Sequence, residues 1–131
     1  MDNCGKILSK LKKEKWSFGE SVRFIREQQG IKIREVASKV GMTATYISDI
    51  ERGNNRPPRR PLMQNILTAL EIQELELQNY LYDLSARERG EVAEDIAEYI
   101  MSNDDLRLVI RMTQRQKMSE RFWQECINKI Q

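Results

Sequence analysis

Apolar residues in this chain recur three and four positions apart, the period of helices that each bury one face. Ile7, Leu8 and Leu11 share a face within a lysine-rich lead over residues 1–17. Phe18, Val22 and Ile25 follow in a helix expected over 18–29. The next two helices are expected over 33–40 and 43–52, with Ile47 and Ile50 three apart on the inward face of the second. Pro61 suits the first turn of a further helix, whose inner side carries Leu62, Ile66, Leu67 and Leu70. A short helix over 73–84 is expected to close this group. Beyond Ser85 three more amphipathic stretches appear. Val92, Ile96, Tyr99 and Ile100 line the first, and Leu106, Val109, Ile110 and Thr113 the second. Phe122, Trp123, Cys126, Ile127 and Ile130 line the third. No strand-like alternation, short-period repeat or low-complexity tract interrupts the pattern. The expected fold class is all-α.

The residues between these stretches sharpen one region, Gly30 to Gly53. Ala37 keeps its helix slim enough for the next to cross closely. Gly41 stands where the chain must leave that helix and reaches a left-handed conformation without steric cost. Thr43 supplies an N-cap hydroxyl, and Gly53 follows the charged end Glu51-Arg52 as a stop signal. Helix, glycine turn and a second helix locked by apolar residues are the parts of a helix-turn-helix unit. Asn54 to Arg60 then forms a basic loop stiffened by Pro57 and Pro58.

From about Phe18 to about Leu70 the chain resembles the phage lambda repressor and Cro-type (XRE) helix-turn-helix family. Val22-Arg23, Ile25-Arg26, Ala37, Gly41, Ile47-Ser48 and Ile50-Glu51-Arg52-Gly53 carry the resemblance together. It implies a five-helix DNA-binding domain over 18–84, used as a dimer by transcriptional regulators. That domain would follow a basic N-terminal arm over 1–17 and precede a small helical dimerisation or partner region over 85–131. The lead itself reads as a solvated helix or frayed arm, with a DNA-gripping arm as the rival. The chain departs from the family at Lys32 and Ile33, where a capping Ser or Thr and a phosphate-touching Gln usually stand. Arg34 is the nearest replacement for that contact.

Charge fits the same picture. Residues 1–60 hold 14 Lys/Arg and 7 Asp/Glu, a net of +7, whereas residues 61–131 hold 8 and 13, a net of −5. The basic half suits a phosphate backbone, and the acidic half should face away from it.

By register with the family, Ala44, Thr45, Ser48 and Asp49 are the base-contacting candidates. Asp49 either accepts from cytosine N4 or pairs with a neighbouring Arg and reads nothing. Backbone contacts are expected from Arg34, Thr43, Tyr46, Asn54, Asn55, Arg56, Arg59 and Arg60. Tyr46 alternatively packs on the loop before the next helix. Arg59 could enter a narrow minor groove. Arg26 and Glu51 occupy positions that form an internal salt bridge in the family. Ile110, Phe122, Trp123, Ile127 and Ile130 are expected to line a dimer or partner interface.

Other chemistry finds little support. There is no His, and the two cysteines, Cys4 and Cys126, stand without a second soft ligand beside either, so no metal site is expected. No phosphate-binding glycine loop is present, and no cofactor is expected. Glu88, Glu91, Glu94, Asp95 and Glu98 space like a solvated helix face rather than a hydrolase site. No run of about 18 apolar residues exists, and the N-terminus lacks the apolar core of a signal peptide. The expected function is therefore a non-enzymatic, cytoplasmic, sequence-specific DNA-binding regulator. It would act as a repressor, with a homodimer placing helix 43–52 on a partly palindromic operator in double-stranded DNA. The alternatives are an antitoxin or anti-regulator whose C-terminal helices bind a protein partner, and a regulator that senses a peptide or small ligand there.

Overall fold

In the computed structural model, which describes residues 4–131, Ser17 opens the first helix of the helix-turn-helix region. Its hydroxyl accepts the Glu20 N–H at 3.1 Å while the Glu20 carboxylate accepts the Ser17 N–H at 2.9 Å, a reciprocal capping box. Nine helices and no strand form among the described residues. They are α1 (Cys4–Glu14), α2 (Phe18–Gln28), α3 (Ile33–Val40), α4 (Ala44–Glu51), α5 (Leu62–Ala69), α6 (Leu75–Arg89), α7 (Glu94–Ser102), α8 (Asp104–Gln116) and α9 (Glu120–Ile130). The chain divides into two compact units, the first ending at Asp95 and the second spanning Ile96–Gln131.

In the first unit, α3 packs on α4 and α5, α2 packs on α4 and α6, and α1 packs on α6. Phe18, Val22, Ile25, Val36, Ile47, Met63, Leu67 and Leu81 form its centre, each at most 1% exposed. The lysine-rich lead is more than an arm. Residues 4–14 are helical, and Ile7, Leu8 and Leu11 are buried in the same core. Three aliphatic side chains offer enough apolar area to hold a helix whose other face is solvated lysine. The first three residues of the expected arm lie outside the described residues. At the far side, the helix expected over 73–84 runs on to Arg89, where Gly90 caps it in the left-handed region. Ser85, Ala86 and Ala93 are buried, so the core continues past residue 84.

The second unit comprises most of α7 together with α8 and α9. The Asn103 side chain caps α8 by accepting the Leu106 N–H, and the Ser119 hydroxyl caps α9 by accepting the Phe122 N–H. None of the three helices contains a fully buried residue. Leu106, Thr113, Met118, Phe122 and Cys126 are half-buried, and Phe122 meets Trp123 edge to face. No described helix is long and apolar enough to cross a membrane.

Candidate nucleic-acid interface

The helix-turn-helix is assembled by local chemistry on both sides of one tight turn. Gly41 ends α3 at φ 72°, and its N–H and that of Met42 return to the carbonyls of the preceding turn. The Thr43 hydroxyl accepts the Tyr46 N–H at 3.0 Å and starts α4. At the head of α3, Lys32 has no acceptor to offer. The Glu35 carboxylate instead accepts the Lys32 N–H at 3.0 Å, half of a capping box. Arg34 is exposed in the first turn of α3.

Ile47 and Ile50 are buried on the inner side of α4, and this fixes which residues it presents. Thr45 is exposed, while Ala44, Ser48 and Asp49 are half-buried. Ala44 and Tyr46 also lean on the core. The crossing of α2 over α4 is unusually close at Gly19. A Cβ there would lie 2.2 Å from the Ile50 carbonyl oxygen. A glycine inside a helix weakens it locally, so nothing in the sequence marks Gly19 as the point where two backbones meet.

A second lock lies beside this crossing. The Arg26 guanidinium donates to both Glu51 carboxylate oxygens, at 2.7 and 3.0 Å, and also to the Ile31 carbonyl at 3.0 Å. Glu51 is 6% exposed. The hydrogen bond to Glu51 raises the Arg26 pKa against the opposing effect of burial. A charge-assisted fork in this setting ties α2 to the end of α4 and to the α2–α3 turn at once.

Arg52 is a participant that spacing alone could have suggested. It stands four residues after Ser48 and three after Asp49, and donates to the first at 2.6 Å and the second at 2.7 Å. It thereby gathers two outward side chains of α4 into one polar cluster. Immediately after it, the Asn54 and Asn55 N–H groups both point back to the Asp49 carbonyl, at 2.8 and 3.3 Å. This turn leaves the Asn54 and Asn55 side chains exposed beside the C-terminal end of α4.

The basic loop is held differently from its two ends. Pro57 and Pro58 are buried, and the Arg89 guanidinium donates to the Pro57 carbonyl. Arg56 is exposed. Arg59 pairs with Glu91, which raises the Arg59 pKa and holds the Glu91 carboxyl below the usual glutamate range. In both groups the shared hydrogen bond is the largest cause. The Arg60 side chain donates to the Tyr82 hydroxyl at 3.2 Å and lies over its ring at 5.2 Å. The Arg60 N–H points to the Glu94 carboxylate. The acidic run is thus not a solvated helix face. Gly90 breaks the helix within it. Glu88 accepts the Phe18 N–H at 2.6 Å, while Glu91 and Glu94 face the loop. Their partners lie 32 to 70 positions away, beyond the reach of any spacing rule. No group of metal-ligating side chains forms among the described residues.

The glycine turn between α3 and α4, with α4 crossing α2, is a helix-turn-helix arrangement. Residues 22–77 match the family model described as Helix-turn-helix. That segment is a helix-turn-helix domain of the lambda repressor and Cro type, the domain of DNA-binding transcriptional regulators. No curated protein and no solved structure matches the chain significantly.

Proposed function

We propose that this protein is a cytoplasmic, sequence-specific repressor that binds a partly palindromic operator as a homodimer. The observation that carries the reading is the presentation of α4. Its inner side is fixed by Ile47, Ile50 and the buried Arg26–Glu51 fork, and away from that side Thr45 is exposed while Ala44, Ser48 and Asp49 stay half-buried. A helix held in this way suits the major groove, with Ala44, Thr45, Ser48 and Asp49 toward base edges. Arg34, Thr43, Tyr46, Asn54, Asn55, Arg56, Arg59 and Arg60 flank it as the phosphate contacts. None of the base-edge candidates is an arginine fork for guanine, so direct readout is modest and DNA shape takes a larger share. Three or four phosphates neutralised per protomer correspond to a log–log salt slope of roughly −5 to −7 for a dimer.

The second unit supports the dimer. Val109 and Ile110 on α8, and Trp123 and Ile127 on α9, are each more than 40% exposed, and Ile130 is 86% exposed. Exposed apolar side chains on both helices favour burial against another surface, here a second copy of the chain. A protein partner seated on the same strip is the second reading, favoured by the aromatic pair Phe122–Trp123, since aromatics are frequent interface anchors.

Selection from a random duplex library with the intact protein tests the function. Enrichment of a two-fold-related motif with half-sites about one helical turn apart is the expected result. Weak, salt-sensitive binding with no enriched motif would overturn the autonomous regulator and favour the partner-binding protein.

A further inference from the structure

The segment 88–94 lies along the basic loop and sets two carboxylates, Glu91 and Glu94, against it. Glu91 takes the Arg59 guanidinium, Glu94 takes the Arg60 N–H, and Arg89 anchors the segment to the Pro57 carbonyl. Arg59 nonetheless stays half exposed, with 52% of its side chain accessible. The guanidinium is therefore within reach of a phosphate that must displace a carboxylate to win it. Burial does not explain the pairing, because both groups are open to solvent. A like-charged carboxylate beside a phosphate-binding arginine weakens the attraction of the whole loop for a polyanion.

We propose that Glu91, seated by the Arg89 anchor and seconded by Glu94, is a built-in competitor that screens Arg59 from DNA phosphate and moderates binding. The inference rests on the reading of this loop as a DNA backbone contact. On binding, the Arg59 guanidinium exchanges Glu91 for a phosphate oxygen. The freed carboxylate, now close to a polyanion, recruits a solution cation. One of the cations released from DNA is thereby offset in each protomer.

The full chain and its Glu91→Gln, Arg59→Gln and doubly substituted forms are compared on a labelled random-sequence duplex of about 30 base pairs, long enough for two half-sites, across a salt series. Thermal melts are read in parallel, with Glu91→Ala as a second variant. Glu91→Gln is expected to bind about two- to five-fold tighter, the scale of an exposed ion pair. Its log–log salt slope should be steeper, by at most about 0.9 per protomer. Adding Arg59→Gln should abolish both gains. Unchanged or weaker binding by a folded Glu91→Gln protein overturns the competitor, and so does a gain that survives loss of Arg59. If neither the wild type nor Glu91→Gln binds the duplex, the DNA-binding reading fails and takes this inference with it. Binding by the wild type with no response to Glu91→Gln sinks the inference alone.

Discussion

The Cα of Gly19 approaches the Ile50 carbonyl so closely that any Cβ at position 19 would lie 2.2 Å from that oxygen, and 2.7 Å from the carbonyl oxygen of Glu51. Both obstacles are backbone at the end of α4, so relief requires the helix itself to shift. Gly19→Ala gains up to about 1 kcal/mol of helix propensity, but overpacking of this kind costs typically 1–3 kcal/mol and sometimes more. A net loss of about 2 kcal/mol is expected in urea titration, with weaker DNA binding because α4 is displaced. A variant as stable as the wild type would mean that α2 and α4 can move apart at this crossing without loss.

The Arg26–Glu51 fork makes a different prediction, because both partners are poorly accessible, at 12% and 4% of their side chains. Removing one leaves the other charge without a counterpart, an effect of about 3–5 kcal/mol for buried pairs. Arg26→Ala and Glu51→Gln should each destabilise strongly, and the double variant should lose much less than the sum. Denaturation of all four proteins gives the coupling. Additive losses would show that the pair contributes no interaction of its own.

Leu11 separates an arm from a structural helix. It is fully buried in the core of the first unit. Leu11→Ala is expected to lose about 2–5 kcal/mol, the range for truncating a buried leucine. A change below about 0.5 kcal/mol, the scale of an ordinary surface substitution, would return α1 to the status of a solvated lead.

Arg52 should matter more for selectivity than for stability. It joins Ser48 and Asp49 on the surface, where exposed pairs contribute about 0–1 kcal/mol. In Arg52→Ala both outward side chains are released. The expected outcome is an altered base preference in duplex selection with little change in melting temperature. An unchanged motif would indicate that neither Ser48 nor Asp49 reads a base.

Ile127 tests the dimer without touching a buried contact, since it is 48% exposed on α9. Ile127→Glu places a charge on the apolar strip. Sedimentation equilibrium should then show monomers, and affinity for a two-half-site duplex should fall at least about tenfold through loss of bivalency. A dimer that persists would move the interface elsewhere.

Local chemistry carried a large part of this protein in its sequence. The 3.6-residue period marked the helices around the turn, since each must bury a stripe on its own core. Gly41 and Thr43 marked the turn itself, because a left-handed stop and a hydroxyl cap are properties of single residues and their immediate neighbours. Charge asymmetry separated a basic first half from an acidic second half. The contacts that lock the site were decided only in three dimensions. Glu88, Glu91 and Glu94 look like a wet helix face until the fold carries them back to Phe18, Arg59 and Arg60. Leu11 shares an apolar face with Ile7 and Leu8 in a lysine-rich lead that reads as solvated until α6 covers its helix. Gly19 appears a poor helix former until α4 arrives against it. Periodicity and capping act over a turn or two of chain, whereas electrostatic pairing and close approach depend on which distant backbone the packed core brings alongside.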